Sequence, residues 1–258
     1  MSVSKSAPTE RFSDRVEEYL KYRPHYSPEV IAALRQACGL RSDHVIVDVG
    51  CGTGLLANRF LENGNRVIGV EPNAGMRQAG ALSLARYAKF SMVAGSAEDT
   101  TLPDHHADFV MAGQAFHWFQ PERTRREFAR IVRPDGWAVL IWHDRDLEST
   151  PFLRAYEDFL QRHATDYAMV AHNKVANYGA LERFFSPNRM HMVTQNTLQE
   201  FDREGLRGRL LSSSYAPREG PRAEAMLEEL PVLFDRYAEG GRVVFEYHTR
   251  IYYGHLTP

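Results

Sequence analysis

The apolar residues of this chain fall into short unbroken runs separated by stretches with helical periodicity. Runs at His44–Val49, Arg66–Val70, Phe90–Ala94, Ala107–Ala112 and Trp137–Trp142 read as five strands. Between them, Thr53–Asn63, Asn73–Tyr87 and Glu122–Val132 space their apolar residues as helices do; Leu55, Leu56, Phe60 and Leu61 precede a stop at Gly64. Upstream, the first part of Arg11–Tyr26 has helical spacing that Pro24 ends. Ser27-Pro28-Glu29 then reads as a cap with proline at the first helical position, opening a helix to Cys38 that Gly39 stops. Apolar strands alternating with helices predict an α/β fold: a doubly wound, Rossmann-like sheet, mostly parallel, with helices on both faces.

The pattern changes after Asp144. Ser149–Ala164, Leu198–Arg209 and Arg222–Ala238 read as helices and Met190–Gln195 as a sixth strand, while His172–Phe185 fits neither period well. Arg242–Tyr253 alternates apolar and polar residues, as a strand near a sheet edge does, and is expected to be an antiparallel C-terminal strand. The expected organisation is a single domain over 1–258. About 10–145 form a cofactor-binding core, about 146–240 supply a helical cap and strand six, and 241–254 the last strand.

Composition narrows the classes. The 258 residues are 43% hydrophobic and 25% charged with a formal net charge of −2, ordinary values for a globular chain with a sizeable core. Near-neutral charge gives no footprint for nucleic acid or anionic lipid. Cys38 and Cys51 show no metal-type spacing, and Cys51 sits inside a glycine turn that pairing would distort, so a reducing cytoplasm is the expected location. The N-terminus has no apolar signal-like stretch, and no segment approaches a membrane span.

The candidate chemistry begins at residues 45–54, Val-Ile-Val-Asp-Val-Gly-Cys-Gly-Thr-Gly, with Glu71 ending the next apolar run. A strand entering alternating glycines brings bare backbone up to a ligand, and a carboxylate nearby suits a sugar. A dinucleotide fingerprint needs a third glycine where this chain has Leu55, and a phosphate-binding loop needs a lysine that is absent. A tight turn with no ligand leaves the entropic cost of three glycines unexplained.

Asp48 through Gly54 resembles the first motif of the class I S-adenosylmethionine-dependent methyltransferases. Glu71-Pro72-Asn73-Ala74-Gly75-Met76 resembles their second motif, and Gly95-Ser96-Ala97-Glu98 with Leu102-Pro103 their third. Ala107-Asp108-Phe109-Val110 and Arg130–Trp137 resemble strand four and the approach to strand five, so the likeness covers about residues 10–145. It implies S-adenosylmethionine as cofactor: Asp48 near its amine, Gly50, Gly52 and Gly54 allowing close approach, Glu71 with Pro72 at the ribose, Met76 and Ala97 at the adenine. The chain has Ser96 where many relatives have Asp, which leaves Glu98 for the adenine amine. Tyr19, Tyr22 and Arg23 are expected to close over the cofactor, with Arg23 reaching its carboxylate.

Ligands of doubly wound sheets sit beyond the carboxyl ends of the strands, here Gly113–Phe119, with Gln114 at the cofactor, and Trp142–Asp144. This chain lacks the [ND]-P-P-[FY] of nucleobase-amine methyltransferases and the cysteine of those acting on pyrimidine carbon. The His117-Trp118 segment and Tyr22–Tyr26 instead resemble a small-molecule group that includes the trans-aconitate methyltransferase-like proteins. The expected function is methyl transfer to a small-molecule acceptor, by a monomer or homodimer. The alternatives are a non-catalytic, regulatory S-adenosylmethionine-binding protein and a nicotinamide-dependent oxidoreductase. His117 and His143 are the candidate bases, and Trp118 a candidate contact to the sulfonium or the substrate. Arg207 and Arg209 read as a solvated helix face in preference to a site for an acidic substrate.

Overall fold

A computed structural model describes residues 21–165, 167 and 179–256. Seven strands form one sheet in the order β3-β2-β1-β4-β5-β7-β6. They are β1 (Val45–Val49), β2 (Arg66–Val70), β3 (Phe90–Val93), β4 (Ala107–Gly113), β5 (Val132–Arg145), β6 (His191–Phe201) and β7 (Val243–Gly254). Strands β1 to β5 pair in parallel, and β7 inserts between β5 and β6, antiparallel to both. The predicted fold class stands.

The sheet has a core on each face because successive strand residues point to opposite sides. From β1, Val47 and Val49 enter one core with Phe128, Phe184 and Phe185, while Ile46 enters the other with Val30, Leu34 and Phe60. The second core is covered by α1 (Glu29–Cys38) and α2 (Leu55–Glu62), the first by α4 (Pro121–Ile131) and the helical residues 179–185. Helix α3 (Ala74–Ser83) follows β2, its first turn capped by Asn73, whose side chain accepts from the Met76 N–H. Gly39 ends α1 in the left-handed region as expected, but Pro28 stands at the cap itself rather than at the first helical position.

Three helices cover the sheet end where β5 meets β7: α5 (Pro151–His163), α6 (Arg203–Leu211) and α7 (Pro221–Tyr237). They share a third core with Phe201, Phe245 and Tyr247 of β6 and β7. The sequence reading needs one correction here. β6 continues to Phe201, through the residues assigned to the start of a helix, because all eleven of its residues pair with β7. The helix begins only at Arg203, where the Asp202 carboxylate accepts the Gly205 N–H. The tight connection expected before β5 lies within that strand: Val132 pairs with Ala107 and Trp137 with Phe109, so residues 133–136 bulge between two paired positions.

Phe245 anchors the cap. It is fully buried, and the rings of Tyr156, Phe201 and Phe152 meet it edge-on at 5.0, 5.3 and 5.4 Å. Truncation to alanine forfeits the transfer energy and leaves a cavity. Phe245→Ala is expected to cost about 3–5 kcal/mol in urea unfolding, whereas Leu198→Ala, 71% exposed on β6, is expected to stay within about 0.5 kcal/mol.

Candidate cofactor and acceptor site

The carboxyl ends of β1, β4 and β5 open onto a cleft lined by Arg23, Tyr26, Asp48, Gly50, Gln114 and His143, among others. Its floor is the glycine turn. Gly50, Gly52 and Gly54 have φ of 69°, 58° and 87°, a left-handed conformation that side chains resist. The turn is tied to β2: the Gly50 and Cys51 N–H groups donate to the Val70 carbonyl at 2.9 and 3.1 Å, and the Gly52 N–H donates to Glu71 Oε2 at 2.9 Å. Glu71 Oε1 accepts the Asn73 N–H at 2.9 Å. Each oxygen of this carboxylate thus holds one backbone donor and keeps capacity for a second hydrogen bond.

Asp48 is placed differently. It is 1% exposed on β1, between Gly69 and Met111 of the flanking strands, and neither carboxyl oxygen has a hydrogen-bond partner among the described residues. Burial pushes its carboxyl up to about 7; the Cys51 thiol and the Ala57 N–H oppose the rise and the Glu71 charge adds to it. Burial also raises Glu71, against the pull of the two backbone N–H groups and Arg77. Two buried carboxylates therefore flank the turn with no ion pair to a basic side chain among the described residues. That field repels a phosphate and favours a cation.

The opposite wall is His143. It is 5% exposed, and its ring lies 4.4 Å from the ring of Tyr26. The β5–β7 register sets Thr249 beside it, and Thr249 Oγ1 is 2.8 Å from His143 Nδ1, while Nε2 has no partner among the described residues. Burial, then the Arg209 charge, lowers this imidazole to about 4. Gln114 links the walls: its side-chain amide donates to the His143 carbonyl at 3.1 Å, and its backbone N–H to the Ile141 carbonyl at 2.9 Å. It does so at φ 58°, a strained conformation for a non-glycine residue, costing on the order of 1–2 kcal/mol. Gly113 beside it has no side chain because the Tyr26 hydroxyl occupies that space.

The remaining sequence candidates sort by place. Met76 and Ala97 are buried at the starts of the segments after β2 and β3, and Pro72 is exposed. Glu98 Oε1 accepts the Gln120 N–H at 2.8 Å and the Thr124 hydroxyl at 3.4 Å, so this carboxylate secures the N-terminus of α4. His117 and Trp118 form a short 3₁₀ turn with their rings 4.6 Å apart, and neither lines the cleft. Arg23 lines it and donates to the Ser212 carbonyl at 2.9 Å. The Tyr22 ring packs on Gly208 of α6, and its hydroxyl donates to Glu204 at 2.9 Å. Tyr19 lies outside the described residues. Tyr26 ends the Tyr22–Tyr26 segment, and no role of its own was expected of it. Of the two arginines read as a solvated face, Arg207 is exposed, but Arg209 is 7% exposed and not solvated. Two residues apart on a helix lie on different faces, a signal that was present in the sequence.

Residues 47–140 match the methyltransferase domain family. The sheet order, the glycine turn and the acidic end of β2 agree with that match. Over this stretch the chain resembles a methyltransferase domain. It is 37% identical over 148 residues to the uncharacterized methyltransferase Rv3342 of Mycobacterium tuberculosis, covering 57% of each chain, and 28% identical over 152 residues to an uncharacterized methyltransferase of Schizosaccharomyces pombe, covering 58% of this chain and 59% of the other. The match thus spans little more than half the length of these curated relatives. Methyltransferase folds extend further. A candidate type II methyltransferase from Anaeromyxobacter dehalogenans superposes with a TM-score of 0.65 at 20% identity, covering 92% of this chain and 99% of that one. A candidate methyltransferase from an antibiotic biosynthesis pathway of Anabaena variabilis gives 0.62 at 24% identity, covering 87% and 96%.

The two perturbed groups of this cleft give opposite pH dependences. Between about 3.8 and 7 the folded state holds a proton on Asp48 that the unfolded chain has lost, so this group's contribution to stability falls by about 4 kcal/mol as pH rises. Between about 4 and 6.5 the unfolded chain protonates its histidine while folded His143 stays neutral, so stability rises with pH by about 3 kcal/mol. Without ligand, the two largely cancel. Urea unfolding across pH 4–7 is expected to show stability increasing with pH in Asp48→Asn and decreasing in His143→Asn; parallel slopes in the two variants would refute the assignment.

Proposed function

We propose that this protein is an S-adenosylmethionine-dependent methyltransferase acting on a small-molecule acceptor. The observation that carries the reading is Asp48: a buried carboxylate, both oxygens unpartnered, at a turn of three glycines. Such a group calls for a buried cation with several donors, which the ammonium of the cofactor's methionine end supplies. A dinucleotide or a nucleoside triphosphate would bring anionic phosphates to the same pair of carboxylates.

The surrounding residues suit the rest of the cofactor. Glu71 keeps hydrogen-bonding capacity on both oxygens for the two ribose hydroxyls, and Arg23 stands in the cleft wall for the carboxylate. Met76 and Ala97 lie on the adenine side. Bound there, the cofactor supplies an electrophilic methyl group. The chain's own contribution is alignment and a proton acceptor. With Nδ1–H donating to Thr249 Oγ1, His143 presents Nε2 as a base, neutral at physiological pH. His143 is favoured over His117 because it alone lines the cleft. An unpartnered base at the cleft wall serves transfer and has no role in binding alone, which favours an enzyme over a regulatory cofactor-binding protein.

Isothermal titration of the purified chain with S-adenosylmethionine tests the reading. Glu71→Ala is expected to weaken binding at least tenfold. Asp48 must be ionised to hold an ammonium, so wild-type affinity is expected to fall as pH drops below about 7, by at most tenfold per unit, and Asp48→Asn to bind weakly with that dependence gone. Unchanged affinity in both variants would remove the turn from the cofactor site. His143→Gln is expected to leave cofactor affinity intact and to lower kcat once an acceptor is in hand.

A further inference from the structure

Beyond His143 the cap encloses a second charged cluster that cofactor binding leaves unused. Arg209 of α6 is 7% exposed. Its Nε donates to the Tyr247 hydroxyl at 3.3 Å and its Nη1 to Ser213 Oγ at 2.9 Å, and it has no carboxylate partner among the described residues. The other buried arginine, Arg145, is neutralised: its Nη2 lies 2.5 Å from Glu157 Oε2 and donates to the Tyr167 hydroxyl at 3.0 Å. An arginine keeps its charge at any working pH, and no carboxylate among the described residues offsets that of Arg209.

The polar groups around it offer more donors than acceptors. Tyr156 is 1% exposed, and its hydroxyl has no hydrogen-bond partner among the described residues; the same is true of Arg145 Nε. The Tyr247 hydroxyl accepts from Arg209 and keeps its own proton to give. Tyr215 feels the same field: burial raises its phenol, but the charges of Arg209 and Arg145 outweigh that and pull it below the usual tyrosine range, as a cluster without a carboxylate counter-ion does. What is missing is an anion that takes several hydrogen bonds. The cluster also adjoins the cleft. The Tyr247 ring is 6.2 Å from that of His143, and the Arg209 charge reaches His143 strongly enough to lower it. Arg23, in the cleft wall, is bonded to the carbonyl of Ser212, next to the Ser213 that Arg209 holds.

We propose that Arg209, with the hydroxyls of Tyr156 and Tyr247, receives a carboxylate carried by the methyl acceptor. A single charge with no carboxylate partner matches a monoanion; a phosphate dianion would exchange a positive excess for a negative one. Holding that end of the acceptor in the cap places the rest of the molecule along Tyr247 toward His143 and the cleft. The inference rests on the reading of the cleft as the methyl-donor site, since it takes direction from it.

Thermal unfolding of the full chain in sodium acetate, acetamide and inorganic phosphate series, at matched ionic strength, tests the site without knowledge of the acceptor. Acetate is expected to raise the Tm of wild type and of Arg207→Met, an exposed neighbour, but not of Arg209→Met. Acetamide is expected to do nothing, and phosphate to act less than acetate. Arg209→Met alone is expected to keep or raise the Tm, because it removes a buried cation with no counter-ion; a marked drop would make Arg209 structural and overturn the proposal. Arg209→Lys, which keeps the charge and loses the planar fork, is expected to show a smaller acetate shift and serves if the methionine variant does not fold. An acetate shift that persists in the Arg209 variants, or acetamide or phosphate acting as strongly as acetate, also overturns it. S-adenosylmethionine titrations separate the two readings. Cofactor binding without an acetate response sinks the anion site alone, and an Arg209-dependent acetate response without cofactor binding sinks the methyl-donor reading and the acceptor role drawn from it.

Discussion

The constraint on which this site depends is a carboxylate buried without a partner. Asp48 sits in a strand whose other interior residues are valine and isoleucine, at the point where the sheet gives way to the glycine turn. Removal from water, offset only in part by the Cys51 thiol and the Ala57 N–H, penalises its ionised form by several kcal/mol, a large fraction of the stability of an ordinary domain. The fold holds the group in place by other means. The turn is bonded to Val70 and Glu71 of the neighbouring strand, and α2 closes the far side through Leu56 and Ala57. The electrostatic deficit stored there is free energy that a cation recovers on binding. This is how a rigid scaffold turns an unfavourable burial into affinity for one charge type.

His143 lies between two fields of opposite sign. On one side are Asp48 and Glu71; on the other, Arg209 and the paired Arg145. The histidine touches neither set directly and remains neutral, as a proton acceptor must. Its position is a product of topology. β7 enters antiparallel between β5 and β6, so Thr249 comes opposite His143 and Tyr247 opposite Arg145. A parallel strand in that place would present a different register, and the cap core built on Phe245 would lose its connection to the cleft. Gln114 shows the same economy: a strained backbone is tolerated where it ties the ends of β4 and β5 together.

Much of this was legible in the sequence because the inner parallel strands β1, β2 and β4 and the second half of β5 are buried on both faces and so appear as unbroken apolar runs. β2 matches its expected bounds, and β1, β3 and β4 differ by a residue at one end. β6 was not legible over its full length. It is an edge strand with polar and half-exposed residues, and the cue that starts the next helix, the Asp202 cap, is weaker than the apolar pattern that begins at Leu198. The candidate cofactor residues were legible as motifs, yet their partners were not. That Glu71 closes the glycine turn and that Glu98 caps α4 are tertiary facts involving residues 19 and 22 positions away. Arg209 was misjudged because hydrophobicity alone was asked where a charged side chain goes; Leu206 and Leu210 on its buried flank carried the answer.

The division of the core also bears on where specificity resides. The family match ends at residue 140, three positions before His143; it takes in most of the parallel strands between the two cores but leaves out α1 and residues 179–185, which help to cover them. The cap has a core of its own, which meets the sheet through Phe201 of β6 and Val243, Phe245 and Tyr247 of β7. Substitutions in separate cores with no shared partners act nearly independently. The cap can therefore change its lining while Asp48, Glu71 and the glycine turn keep their geometry. Coupling between the halves runs through the β5–β7 pairs, among them His143 with Thr249 and Arg145 with Tyr247, and through Arg23 and Tyr22, which hold Ser212 and Glu204 of the cap. A change of acceptor that preserves these pairs leaves the cofactor half undisturbed. One that breaks them shifts the histidine on which both halves converge.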